Sequence, residues 1–224
     1  SWASRGLGDV YKRQVYNDWK SLNKLLTEID RCLAGDNSLE TEILVINDKS
    51  TQKTYIEDRK YSSLKKIQIL TLKKNLGSQK CIAIGLKYLK KSKINCVITV
   101  MDADGEDNPL QIKEMLNSAL KYEDYIITSN RKKREESLLI IFFYKIHLIV
   151  SFLFTFKWIS FGNFTTFNSK NLESLLSNNS SWYAHSSSVL KNCKIKRLYA
   201  KREKRYFDKS KLSLLSLIEH SLRV

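Results

Sequence analysis

Residues Asp102-Ala103-Asp104-Gly105-Glu106-Asp107 place four carboxylates within six positions, directly after the apolar run Cys96-Val-Ile-Thr-Val-Met101. Like charges this close repel one another, so the segment needs a counter-charge. A hard divalent cation, Mg²⁺ or Mn²⁺, prefers carboxylate oxygens and keeps water or substrate phosphate in its remaining positions. Gly105 permits a sharp turn that lets residues on both sides face one ion. The competing explanation is an acidic surface loop that is merely solvated. An EF-hand is excluded, because the repeating Asp/Asn positions and terminal Glu of its twelve-residue loop are missing.

The elements that must carry this loop alternate along the chain. Leu22, Leu25, Leu26, Ile29 and Leu33 recur at helical spacing behind Asp18, an N-cap residue type. Short apolar runs over 42–47, 67–72, 96–101 and 125–128 read as strands, with a helix over 77–89 and another entered near Pro109. Strands alternating with helices of this length predict an α/β fold with a mostly parallel sheet. In such sheets ligands lie beyond the carboxyl ends of the strands. The segments there are Tyr16-Asn17-Asp18, Asp48-Lys49-Ser50-Thr51, Asn75-Leu76-Gly77-Ser78 and the acidic cluster. No GxGxxG follows the first strand and no GxxxxGK[ST] occurs, which argues against a dinucleotide Rossmann site and a P-loop.

The 224 residues suit one α/β domain, and the composition, 42% hydrophobic and 28% charged, is that of a globular chain. Its charge is unusual. Lys and Arg total 39 against 23 acids, net +16, which favours anionic partners unless lysine merely coats a neutral fold. Between Lys191 and Lys211 stand ten basic residues and two acids, half of the excess. The four cysteines lack metal-ligand spacing and read as reduced thiols; the three histidines are too scattered for a zinc site.

Ser1–Gln14 has no apolar core or cleavage site of a signal peptide, resembles translated adapter sequence, and is expected to stand outside the native fold. The core is expected over 15–130 and an acceptor-binding, membrane-proximal part of the same domain over 131–224, ending in an amphipathic helix over 212–223. The apolar run 138–156 is long enough to span a membrane. Lys145 and His147 interrupt its centre, where a charge costs ~2.5–3.5 kcal/mol, so it is expected to lie in an interface or on the core. The basic leader Arg131-Lys-Lys-Arg134 suits an anionic membrane surface.

The motifs V-Y-N-D (15–18), I-N-D-K-S (46–50), N-L-G (75–77) and M-D-A-D-G-E-D (101–107) together resemble the family 2 glycosyltransferases of the GT-A fold. R-K-K-R (131–134), F-G-N-F (161–164) and R-Y-F-D-K-S-K-L-S (205–213) are similar to the polyprenyl-phosphate, dolichyl-phosphate mannose synthase-like branch. The resemblance implies that Tyr16 and Asp18 line a nucleotide pocket, Asp48 bonds the base, and Asn75 and Gly77 shape the floor near ribose and phosphates. It further implies that Asp102 and Asp104 form a DxD pair, with Glu106 helping to hold the metal. Asn163 is placed near the acceptor, or is a turn asparagine. Asn47 stands where the family carries an acid, and Asp208 where it carries glycine. The absence of QxxRW argues against a processive polymerase.

An enzyme of this kind passes a sugar, with inversion, from a nucleotide-diphosphate sugar to an acceptor. Asp104 and its metal would stabilise the leaving diphosphate. A saccharide hydroxyl acceptor requires a base, for which Asp107 is the candidate. A polyprenyl phosphate is already ionised and instead requires cations. Arg131, Arg134, Arg202, Arg205 and Lys211 are the candidates for gripping the diphosphate and the acceptor phosphate, Arg131 and Arg202 in the catalytic centre and Arg134, Arg205, Ser210 and Lys211 at the acceptor phosphate. Such an enzyme is expected to be cytoplasmic, peripheral to the cytoplasmic face of a membrane. A non-enzymatic RNA- or membrane-binding protein would explain the basic segment but not the acids at the strand ends. Nucleic acid is therefore not an expected partner. Trp182 and His185 read as packing residues.

Overall fold

The computed structural model describes residues 7–35, 39–93, 95–131, 161–200 and 203–207. In chain order the elements are β1 (Leu7–Val15), α1 (Trp19–Leu33), β2 (Leu39–Asn47), β3 (Leu64–Thr71), α2 (Ser78–Ser92), β4 (Val97–Val100), α3 (Ile112–Lys121, entered through a 3₁₀ turn at Pro109–Gln111) and β5 (Tyr125–Arg131). They continue with β6 (Phe161–Asn168), two four-residue helical turns α4 (Leu172–Leu175) and α5 (Ser180–Tyr183), α6 (His185–Asn192) and β7 (Lys194–Ala200).

The strands form one sheet in the order β3-β2-β1-β4-β6-β5-β7. β1 runs parallel to β2 and β4, β2 to β3, and β5 to β7, while β6 is antiparallel to both neighbours. The α/β, mostly parallel expectation therefore holds. The carboxyl ends of β1, β2 and β4 fall on one edge, as their register requires.

Successive side chains of a strand face opposite ways, so β2 serves two cores. Ile43 and Val45 pack with Leu22, Leu25, Leu26 and Ile29 of α1 and Met115 and Leu116 of α3. Leu44 and Ile46 pack with Ile82, Leu86 and Leu89 of α2, Phe167 of β6 and Val189 of α6. Helices on both faces explain why these strands read as unbroken apolar runs. Asp18 caps α1, its carboxylate accepting from the Ser21 N–H at 3.4 Å.

Two features differ from the sequence expectation. Leu7–Val15, placed largely outside the native fold by its composition, forms β1, paired along β2 through nine residues. A ladder is made of backbone groups, so the pairing of β1 between β2 and β4 does not by itself demand the apolar sequence such a strand usually has. The sheet, whose core was expected to end near residue 130, continues through β6 and β7. The 138–156 run and the 212–223 helix lie outside the described residues. Among the described residues no helix is long and apolar enough to cross a membrane.

All four cysteines are free. Burial pushes the Cys193 thiol up to about 11 from an ordinary value of 9.0. The folded state thus favours the protonated thiol, a contribution complete below about pH 9 and lost as pH rises through about 11. Urea midpoints are expected to fall between pH 9 and 11, and the decline attributable to this thiol to vanish in Cys193→Ser. Iodoacetamide at pH 8 is expected to leave Cys193 unmodified, as peptide mass analysis would show.

Candidate active site at the carboxyl edge of the sheet

Three loops at this edge are fastened to one another by side-chain to backbone bonds. After β1, Asn17 takes a left-handed conformation (φ 52°). Its Oδ1 accepts from the N–H groups of Thr51 and Gln52 at 2.9 and 3.1 Å, and its own N–H donates to Ser50 Oγ at 3.0 Å. After β2, Asn47 Oδ1 accepts from Ser50 N–H at 2.9 Å. Asp48 is wholly buried, and its two oxygens accept from the N–H groups of Leu76 and Gly77 at 2.7 and 2.9 Å. Gly77 opens α2 with φ +82°, a conformation glycine adopts without strain. Tyr16 stands at the rim, 42% exposed. Asp48 therefore holds the 75–77 loop in place.

The acidic loop after β4 is closed on itself and covered from outside. Asp107 Oδ2 accepts from the Asp102 N–H at 2.9 Å, and Asp104 Oδ1 from the Glu106 N–H at 3.1 Å. Asn163, on β6, points its amide at both oxygens of Asp102 at 3.4 Å. Gly105 turns with φ +87°, as its place in the motif required.

A late segment, residues 203–207, lies across this loop. The N–H of Tyr206 donates to the Asp104 carbonyl and that of Glu203 to the Glu106 carbonyl, each at 3.0 Å. Between these bonds Arg205 reaches Asp104 Oδ2 through Nη2 at 2.7 Å and Glu106 Oε1 through Nε at 3.3 Å. The Tyr206 ring covers Gly105 so closely that a Cβ there would stand 2.6 Å from it. Lys24 Nζ caps the same ring at 4.4 Å from its centre.

The counter-charge that the four acids demand is thus supplied in part by a guanidinium. Sequence reading gave Arg205 to an acceptor phosphate; the structure engages it with Asp104 and Glu106. Among the described residues no three acids are grouped to hold one metal ion. The donor chemistry still suits a hard cation, since Mg²⁺ is commonly held by one or two carboxylates with substrate phosphates completing its shell. Asp102 and Asp104 would be those carboxylates. Arg205 engages both Asp104, at 2.7 Å, and Glu106, at 3.3 Å.

Tyr16, Asp18, Asp48, Gly77, Asp102, Asp104, Glu106 and Asp107 come to this edge, Asp18 as a cap and Asp107 as a loop tie. Asn75 is exposed beside them. Arg131 ends β5, while Arg134, Arg202, Ser210 and Lys211 lie outside the described residues. His185 is buried and bonded to Thr165, Nε2 to Oγ1 2.8 Å, as a packing residue should be. Asn17 and Gln79 were missed. Asn17 carried one available signal, a residue type that tolerates the left-handed region directly after a strand.

The comparisons with known proteins agree with this architecture. Residues 14–187 match the family described as Glycosyl transferase family 2, and the chain belongs to that family. Its fold is the GT-A fold. A dolichol-phosphate mannosyltransferase of Pyrococcus furiosus is 28% identical over 115 residues, 51% of this chain and 31% of that protein. The crystal structure of S. aureus TarS 1-349 in complex with UDP-GlcNAc superposes with a TM-score of 0.54 at 14% identity, over 88% of this chain and 59% of that one. Mannosyl-3-phosphoglycerate synthase from Rubrobacter xylanophilus superposes with a TM-score of 0.56 at 13% identity, over 97% of this chain and 71% of that one. The chain thus spans about a third of the length of the curated relative.

Two substitutions test the geometry. Asp48→Asn turns one carboxylate oxygen into a donor facing a backbone donor, so about 1–3 kcal/mol of stability should be lost. The amides of Leu76 and Gly77 should then exchange hydrogen faster than in the parent. Gly105→Ala adds a Cβ against the Tyr206 ring at a positive φ, with a backbone cost of about 1–2 kcal/mol. It should lift 203–207 and accelerate tryptic cleavage after Lys204 and Arg205.

Proposed function

We propose that this chain is the catalytic part of an inverting, metal-dependent hexosyltransferase. It would move a sugar from a nucleotide-diphosphate sugar to a polyprenyl phosphate at the cytoplasmic face of a membrane. The observation that carries the reading is the joining of Asp102 and Asp104, at the end of β4, to the polar loops after β1 and β2 on one sheet edge. That edge is where ligands of open α/β sheets bind. The chain's family membership sets the reaction class. The curated relative named for dolichol-phosphate mannosyl transfer and the neighbour solved with UDP-GlcNAc support the lipid acceptor and the donor class respectively.

In this reading the acceptor oxygen attacks the anomeric carbon from the face opposite the leaving group. The bond from that carbon to the diphosphate oxygen breaks, and the nucleoside diphosphate departs as an anion. Mg²⁺ or Mn²⁺, when bound by Asp102 and Asp104, supplies Lewis-acid stabilisation of that charge. The side chains of this edge hold the loops in register, and the basic residues Arg131, Arg134, Arg202 and Lys211 would meet the diphosphate and the acceptor phosphate. An ionised phosphate acceptor gives up no proton. This suits Asp107, the candidate base, whose Oδ2 is committed to the Asp102 N–H. A saccharide hydroxyl would require that carboxylate to exchange its loop bond for the proton, which makes a glycan acceptor the second reading.

UDP-, GDP- and dTDP-sugars with Mn²⁺ should be offered against polyprenyl phosphate and saccharide acceptors in parallel. Transfer to the lipid is expected, and Asp104→Ala should lower kcat/KM about 10²–10³-fold. Undiminished transfer by that variant refutes the metal assignment. Transfer to saccharide alone selects the second reading, and salt-steep RNA binding without any nucleotide-sugar binding refutes both.

A further inference from the structure

Behind the acidic loop runs a chain of side-chain amides that can point only one way. The backbone N–H of His185, first residue of α6, donates to Gln79 Oε1 at 2.8 Å. Gln79 must therefore present Nε2 on its other side, where it donates to Asn163 Oδ1 at 3.2 Å. Asn163 in turn presents Nδ2 to the two Asp102 oxygens at 3.4 Å. A backbone donor at one end and a carboxylate acceptor at the other fix both amides against flipping.

We propose that Gln79 is a positioning residue for Asp102, acting through Asn163 to aim that carboxylate at the metal and diphosphate of the donor. The inference rests on the reading of Asp102 given under Proposed function. Gln79 lies in the first turn of α2, two residues after Gly77, whose N–H Asp48 holds. One helix end thus fixes both the 75–77 loop and the direction of Asp102. Outer groups of this kind orient ligating side chains, and their loss typically costs about 10–100-fold in metal affinity or activity.

Gln79→Glu separates positioning from mere support. The glutamate keeps an acceptor for the His185 N–H, at a helix N-terminus where negative charge is favourable. It has no donor for Asn163, whose amide must then turn and set its oxygen against the Asp102 carboxylate. Calorimetry with Mn²⁺ and either UDP or GDP, on the whole chain, is expected to show affinity falling about 10–100-fold while the thermal midpoint is retained. Donor KM should rise more than kcat falls. Asn163→Asp, which also lacks the donor, should weaken binding in the same range, and Asn163→Gln should restore part of it. Parent-like Mn²⁺ and nucleotide binding by Gln79→Glu, or a loss that only tracks a lowered thermal midpoint, overturns the proposal. If the unsubstituted protein binds neither UDP nor GDP with Mn²⁺, the glycosyl-transfer reading fails first and the inference falls with it.

Discussion

Four carboxylates in a six-residue loop are an electrostatic demand that the loop cannot meet from its own residues, and much of the site is arranged around meeting it. The four acids are answered in three ways. Asp107 takes the Asp102 amide, Asp102 takes Asn163, and Asp104 and Glu106 share Arg205. Charge-assisted bonds of this kind are roughly twice as strong as neutral ones, and all four acids lie in partly buried surroundings where screening is weaker than in water. Apart from the Asp102 and Glu106 amides of the loop itself, the partners come from β6 and from a segment about a hundred residues later in the chain. The loop's conformation therefore depends on the assembled domain, although its sequence is contiguous.

The sheet makes that assembly possible. Parallel β1, β2 and β4 deliver three loops to one edge, and the antiparallel β6 beside β4 brings Asn163 level with Asp102. The site then divides into two bonded sets. One contains Asn17, Asn47 and Asp48 with the loops they fasten, and the other contains the acidic loop with Asn163 and Arg205. Gln79 lies on the helix that follows the first set and bonds the second, so a shift of α2 moves both.

What was legible in the sequence follows from range. Strands at 42–47, 96–101 and 125–128 were readable because burial on both faces leaves a local apolar run, and 67–72, on the outer and only partly buried β3, because Ile67, Ile69, Leu70 and Leu72 dominate it. The acid cluster was readable because its residues are adjacent. β6 was not, because Gly162, Asn163, Thr165 and Thr166 interrupt its phenylalanines. β7 alternates Lys and Arg with apolar residues and reads as surface. β1 runs against its own sequence: a strand paired on both sides is expected to be apolar, and Asp9, Lys12 and Arg13 are not. Its place is given by backbone pairing, which composition does not report. The pairing of Arg205 with Asp104 was invisible for the opposite reason. Both residues were singled out, each with a partner in solution, and only the folded chain brings them together.

The charge excess takes a different meaning once its residues are located. Arg205 is consumed within the acidic loop. Lys196 lies over the Tyr122 ring at 3.7 Å, Lys194 over Tyr125, and Lys80 and Lys87 over Trp182. An ammonium on an aromatic face is held by the ring quadrupole while its methylene stem covers apolar surface. Among the described residues several lysines are thus answered locally, by rings or by the carboxylates of Glu123, Asp124 and Glu173. These contacts leave the net charge of +16 as it is, since paired acids are already subtracted in it and a ring carries no charge; they fix where the ammonium groups stand. The arginines differ in kind, since a planar fork gains most from a carboxylate or phosphate it can grip with two bonds. The placement of Arg205 between two acids is the form such a group takes when those are the oxygens within reach. The same fork is suited to the diphosphate that the proposed reaction would bring to this edge.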